Sequence, residues 1–358
     1  MAGSGQRDNG ERNGLPEDSS GSPGRSGSMR IHGWTDGKGG TSWYRMKEPA
    51  RALRLRGHDV TVSPMLFDGK SLNDYDALMV RALHDRWNSD GWRRLAELGR
   101  HALVYDLDDD VWNWHSGTEQ YRYWTEQRLE QAEINISLAS VVTTPSAQFA
   151  TYLRELNCNV VVIPNTVPVW LTRINPPKTK RPFVIGWEGA PHHIDDLKLV
   201  WGSIFRFLLK HRDTEFWLWG PHGFEDLPLG LRERVRTFPW QSNVPDYYRS
   251  LDMDIALAPL QDTSFNETKS AIRVQEHSAL GIPVIASPSE AYAGYLHDGV
   301  NGFLASSEED WELYLNLLYD RPDIRYDLGR EGRKLAVQWT TEANASLWEQ
   351  VVKIKEVV

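Results

Sequence analysis

The sequence predicts an α/β protein built from two Rossmann-like halves. Short apolar runs alternate with helix-like stretches, first from Met29 and again from Phe183, the pattern of parallel strands joined by crossover helices. Between the two series lies 167–182, which holds Pro168, Pro176, Pro177 and Pro182 with four basic residues and suits a semi-rigid connection between domains. At 358 residues the chain is long enough for each half to bury its own core.

Composition excludes several classes. Hydrophobic content of 40% and charged content of 25% are those of an ordinary globular protein. A net charge of −9 argues against a protein that lives by non-specific attachment to nucleic acid or to an anionic membrane. The single cysteine, Cys158, excludes an internal disulfide. No run reaches the ~20 apolar residues of a membrane span, and the N-terminus lacks an apolar signal core, so a cytoplasmic protein is expected. Residues 1–28, rich in Gly, Ser, Asp, Arg and Pro, are expected to form a disordered tail, with Met29 an alternative translation start.

The first half, 29–166, opens with a strand at 29–34, a glycine-rich loop, a helix over 43–56 and a second strand at 58–62. No G-x-G-x-x-G follows the first strand, so the opening is Rossmann-like without a dinucleotide fingerprint. A strand at 76–81 and a helix at 90–100 lead to Ala102-Leu103-Val104-Tyr105-Asp106-Leu107-Asp108-Asp109-Asp110, an apolar strand ending in four carboxylates. Strand C-termini in open parallel sheets face the ligand crevice, so the cluster should lie beside substrate. The carboxylates would hold acceptor hydroxyls or take a proton, bind a divalent metal, or cap the next element. Asp108 and Asp109 are the candidates for catalysis, with Asp106 beside them on the acceptor. A helix over 119–137, a strand at 140–144, a helix over 147–156 and a strand at 160–163 complete this half.

The second half, 183–338, repeats the scheme. A strand at 183–187 runs into Glu188-Gly189-Ala190-Pro191-His192-His193 at the start of a helix that continues to about residue 211. An anion could sit at that helix N-terminus, with His192 and His193 donating to phosphate or sugar. Adjacent histidines alone do not make a metal site. Strands at 215–219, 235–239 and 254–260 follow, and the chain closes with helices over 307–319 and 327–358, the last stretch, 339–358, crossing back to pack on the first half.

The most informative stretch is 265–287, FNETKSAIRVQEHSALGIPVIAS. Ser270 is placed to cap a helix over 271–280, Gly281 ends it, and Pro283 prevents its continuation. Lys269 stands at the mouth of that helix, where free N–H groups already favour an anion such as a diphosphate. Glu276, seven residues on, falls near the same face, roughly 10 Å along the axis. Lys269 would hold phosphate and Glu276 would accept from the paired hydroxyls of a ribose. A capped surface helix with two solvated charges is the other reading of that spacing.

The segment 276–287, EHSALGIPVIAS, resembles the second half of the donor-site motif of the GT-B glycosyltransferases, in particular the retaining family four, and Gly299-Val300-Asn301-Gly302-Phe303-Leu304 resembles a turn common in that family. The first acidic residue of the motif is replaced: Thr268 stands eight residues before Glu276, within an Asn-x-x-Lys-Ser sequence from Asn266 to Ser270, as in a divergent branch. The resemblance implies two Rossmann-like domains facing across a cleft, with the acceptor on the first and the nucleotide-diphosphate sugar on the second. It implies retention of configuration and no obligatory metal or other cofactor. It places Gly39 and Gly40 near the donor phosphates, although a tight turn needs the same glycines. It places Trp240 near the base and Ser270, Gly189, His192 and His193 around the donor. Ser42, Tyr44 and Arg45, at the first helix, would face the acceptor. The basic residue that family members often carry after the strand at 183–187 is absent, since no Arg or Lys stands between Val184 and Leu197.

Two other functions fit parts of the sequence: a nucleotide-sugar-binding protein without turnover, and a magnesium-dependent phosphatase using Asp106 and Asp108. The acceptor itself, whether glycan, lipid, protein, small molecule or modified nucleic acid, is not encoded in these motifs. Substitution of Asp108 or Asp109 is expected to lower transfer with nucleotide binding nearly intact.

Overall fold

A computed structural model describes residues 27–35, 39–65, 74–174, 182–220 and 229–355. The expected tail, apart from its last two residues, and positions 175–181 of the expected linker lie outside the described residues.

Six parallel strands form the first sheet: β1 (Arg30–Trp34), β2 (Asp59–Ser63), β3 (Ala77–Arg81), β4 (Ala102–Asp106), β5 (Val141–Thr144) and β6 (Val160–Val162), in the order β2-β1-β3-β4-β5-β6. Six more form the second: β7 (Phe183–Glu188), β8 (Thr214–Trp219), β9 (Val235–Phe238), β10 (Ile255–Ala258), β11 (Val284–Ala286) and β12 (Gly302–Leu304), in the order β12-β11-β10-β7-β8-β9.

The inner strands, such as β3 and β10, read as continuous apolar runs because both of their faces are covered. In the first sheet Ile31, Met79, Val104 and Val141 pack into one cluster, and Leu78, Val80, Leu103, Tyr105 and Val142 into the cluster on the other face. The second sheet alternates likewise, with Val184, Ala256 and Val284 on one side and Ile185, Trp187, Phe216, Leu257 and Ile285 on the other. The order reverses beside β1 in the first sheet and beside β7 in the second, and ligand crevices of open α/β sheets form at such switch points.

Several helix boundaries differ from expectation. The first helix starts at Gly39, whose φ of 74° suits a residue without Cβ, and passes through a π-turn at Trp43–Lys47 before continuing as Glu48–Leu55. Thr118 and Thr125 begin separate helices, Glu119–Tyr123 and Glu126–Ser137, where one was expected. The helix after β7 is likewise divided, into Ile194–Lys198 and Trp201–Lys210.

The last expected helix is also broken, into Pro322–Ala336 and Thr341–Val351. The break is where the chain recrosses between sheets. Thr341 N–H donates to Val167 O at 2.8 Å and Val167 N–H to Trp339 O at 3.1 Å, so the two crossings are bonded side by side. Beyond them Thr341–Val351 lies against Glu48–Leu55. Trp348 enters the core of the first sheet, and Arg51 reaches Glu342 at 2.8 Å. Among the described residues no helix is long and apolar enough to cross a membrane.

Candidate active site

The C-terminal strand ends of both sheets meet around one cavity of about 280 Å³. From the first sheet come Gly40, Thr41 and Tyr44 after β1 and Asp108 and Asp109 after β4. From the second come Glu188, Gly189, His192 and His193 after β7, and Lys269, Ser270, Arg273 and Glu276 after β10.

The helix Ile272–Leu280 organises the donor side. It ends in a Schellman turn, with Gly281 N–H donating to Ser278 O at 3.0 Å and Ile282 N–H to His277 O at 2.9 Å, and Gly281 adopts φ 71°. Its N-terminus departs from expectation. The cap position is Ala271, with no side-chain capping bond, because Ser270 Oγ instead accepts from Asn165 Nδ2 at 2.9 Å across the cleft. The first-turn N–H groups are thereby left to the cavity side rather than closed by a hydroxyl.

Lys269 lies just before that turn. Its ammonium donates to Asp109 Oδ1 at 2.8 Å and lies 4.1 Å over the Phe265 ring. Burial acts to raise the Asp109 carboxyl, but the Lys269 ammonium outweighs it, and the group ends below the ordinary aspartate range. Asp108 has a more distant counterion. Burial pushes its carboxyl up to about 6, with Arg81 Nη1 at 3.4 Å acting in the opposite sense. Two adjacent aspartates are thus held in different proton affinities by their surroundings.

Glu276 is 4% exposed and borders the cavity. Tyr44 donates its hydroxyl to the Glu276 carboxylate, and Tyr248 donates to Tyr44 at 2.9 Å. Burial raises the Glu276 carboxyl to about 7 despite the Tyr44 bond. A carboxyl raised from the unfolded value makes the folded chain the better proton binder between about 4.5 and 7, so its contribution falls as pH rises through that window. Glu276→Gln is therefore expected to gain stability on the parent from pH 5 to 7, by on the order of 2–3 kcal/mol, and then to hold that difference. Paired thermal melts at pH 5, 6, 7 and 8 read this directly. A difference that does not change with pH would show Glu276 ionised throughout.

Arg273 is the residue that the sequence analysis missed. Its Nε lies 3.1 Å from Glu188 Oε1, to which His277 Nε2 also bonds at 2.9 Å. A basic group thus stands at the end of β7, from the helix after β10. The available signal was spacing, since Arg273 is four residues from Lys269 and, on the helix, three from Glu276.

His192 faces the cavity with Nδ1 buried and without a partner. Burial lowers its pKa to about 4, so it is neutral at pH 7. His193 borders the cavity too, but its Nδ1 is bonded to Asp196 at 3.0 Å. Trp240 lies at the cavity mouth, 53% exposed.

Four expected residues are placed elsewhere. Gly39 is not among the residues lining the cavity. Ser42 is fully buried, its hydroxyl 2.6 Å from that of Thr35. Arg45 and Asp106, expected at the acceptor, are fully buried against each other, with Arg45 Nη2 2.7 Å from Asp106 Oδ2. Thr143 donates to the same oxygen at 2.6 Å. The strand end turns Asp106 inward and presents Asp108 and Asp109 to the cleft. Asp106, the nucleophile of the phosphatase reading, is thus enclosed by Arg45 and Thr143.

Known structures match this arrangement over nearly its whole length. They include HepE of Anabaena in complex with UDP (14% identity, TM-score 0.61, 90% of this chain and 97% of that one). Sucrose-phosphate synthase of Thermosynechococcus elongatus matches at 15% identity and TM-score 0.65, over 90% and 98%. A glycosyltransferase of Rickettsia africae matches at 14% and 0.60, over 91% and 99%. The fold is GT-B. Residues 183–319 of this GT-B chain also match the family model described as Glycosyl transferases group 1, the part that contains β7 to β12, Lys269 and the helix of Arg273 and Glu276. No curated protein sequence matches the chain.

Proposed function

We propose that the chain transfers a sugar, with retention, from a nucleotide-diphosphate sugar bound on the second sheet to an acceptor bound on the first. The observation that carries this is the convergence of Lys269, Arg273 and an uncapped helix N-terminus on one side of the cavity, with Glu276 two turns further along. Two cations and free N–H groups suit a diphosphate, and their attraction grows as negative charge develops on it during departure. Glu276 would take the ribose hydroxyls, and Trp240 would stack on the base. His192, neutral and unpartnered at Nδ1, would donate to or accept from the sugar. Gly40 and Gly189 would let backbone approach the phosphates and sugar closely. Asp108 would orient the acceptor hydroxyl or take its proton, a role suited to a carboxyl held near 6. Closure of the cleft would exclude water and favour transfer over hydrolysis.

HepE was captured with UDP, and with UDP-glucose, so uridine is the base to try first. Calorimetric titration with UDP, GDP and ADP, with and without magnesium, is expected to show one nucleotide binding independently of the metal. Its sugar derivative should then be consumed. Binding without consumption would favour the turnover-free reading, and binding by none would overturn the donor site.

A further inference from the structure

A second polar site lies beyond the end of β3 in the first sheet. Its starting point is Ala82, the residue after β3, with φ 47°, the one positive-φ residue other than glycine among those described. A side chain with Cβ is strained there. Two bonds hold it: Ala82 N–H donates to Asp106 O at 2.9 Å, and Ala82 O receives His84 Nδ1–H at 2.5 Å. A donating Nδ1 leaves Nε2 of the neutral ring as an acceptor, and Tyr123 OH donates to it at 2.8 Å. Tyr123 in turn carries the Arg128 guanidinium 4.1 Å over its ring.

Arg122 and Arg128 border the surface hollow that this arrangement frames, together with Glu119 and Tyr123. Arg122 donates to the carbonyls of Thr118 and Gly117, and Arg128 to the carbonyl of Tyr123. Neither arginine forms a salt bridge with a carboxylate among the described residues, although each guanidinium has five N–H donors. Backbone carbonyls thus orient two forks without neutralising them. The hollow is linked to the donor cavity through Arg81, which precedes Ala82 and reaches Asp108.

We propose that this hollow binds a negatively charged group, phosphate or carboxylate, carried by the acceptor sugar. The inference rests on the glycosyl-transfer reading. Planar guanidinium forks match both anions in geometry, and the half-exposed Tyr123 ring offers an apolar face to the sugar. Glu119 would accept from its hydroxyls. The anion would dock at Arg122 and Arg128, leaving the reacting hydroxyl toward Asp108.

The test titrates glucose, glucose 6-phosphate and glucuronate by ligand-observed NMR into the full chain saturated with UDP. At least one charged sugar is expected to bind about tenfold more tightly than glucose, and the better of the two identifies phosphate or carboxylate. Arg122→Gln with Arg128→Gln should reduce that preference to less than about twofold, with UDP affinity unchanged. Equal binding of all three sugars, no binding of either charged sugar, or a preference that survives both substitutions would overturn the proposal. UDP binding is read separately, so failure of the donor site is distinguishable from failure of the hollow.

Discussion

Arg45→Ala is expected to lower stability by about 3–5 kcal/mol, the cost of leaving a buried carboxylate without its cation. Arg45 Nε lies 3.1 Å from both Asp106 oxygens and Nη2 lies 2.7 Å from one. Nη1 donates to Ile163 O at 2.6 Å and to Asn165 Oδ1 at 3.2 Å. The guanidinium also lies 5.0 Å over the ring of Trp348. One side chain therefore joins β4, the end of β6 and the returning C-terminal helix. Alanine would leave Asp106 with Thr143 alone, and the carboxyl would have to take up a proton or water. Urea denaturation measures the loss. The double variant Arg45→Met with Asp106→Asn should recover much of it, since neutral partners of similar volume leave no buried charge. A single variant as stable as the parent but poor in transfer would instead return Arg45 to the acceptor site.

Lys269→Ala is expected to weaken UDP binding by about 1.5–3 kcal/mol, or roughly ten- to a hundredfold, as for a charge-assisted contact removed from a half-enclosed site. The ammonium is only partly exposed and already holds Asp109 at 2.8 Å. A diphosphate bound as proposed would therefore compete with Asp109 for the same cation and be repelled by it. This revises the expectation for that aspartate. Asp109→Asn should tighten UDP binding several-fold rather than leave it unchanged, while lowering transfer if the carboxylate serves the acceptor. Titration of the parent and both variants decides the matter. Parent-like affinity in Lys269→Ala would move the diphosphate elsewhere, and weaker binding in Asp109→Asn would make that carboxylate a donor ligand.

Much of this architecture was legible without coordinates, because buried parallel strands have a simple signature. Runs such as Ala102 to Tyr105 and Val184 to Trp187 are apolar at every position, which only a strand covered on both faces tolerates over so short a length. The helix carrying Lys269 and Glu276 was legible for a local reason as well, since Gly281 and Pro283 mark its end. Helix breaks were less legible. Thr118 and Thr125 were available as N-caps, but the polar pattern across them continues without a Gly or Pro.

The site divides along the same line. Local order along the chain determined that Asp108 and Asp109 would follow a strand, Lys269 precede a helix and Glu276 lie within it, because those positions follow from turn chemistry and period. The tertiary structure decided which polar groups face the cleft and which face each other. Arg45 and Asp106 are 61 residues apart and fully buried together, Ser270 gives up its cap to Asn165, and Arg273, after β10, meets Glu188 at the end of β7. A charge becomes scaffold or site according to whether folding encloses it with its partner, as with Arg45 and Asp106, or leaves the pair at the cavity wall, as with Lys269 and Asp109. Coulomb attraction in a low-dielectric interior depends on distance in space, and separation along the chain carries no record of it.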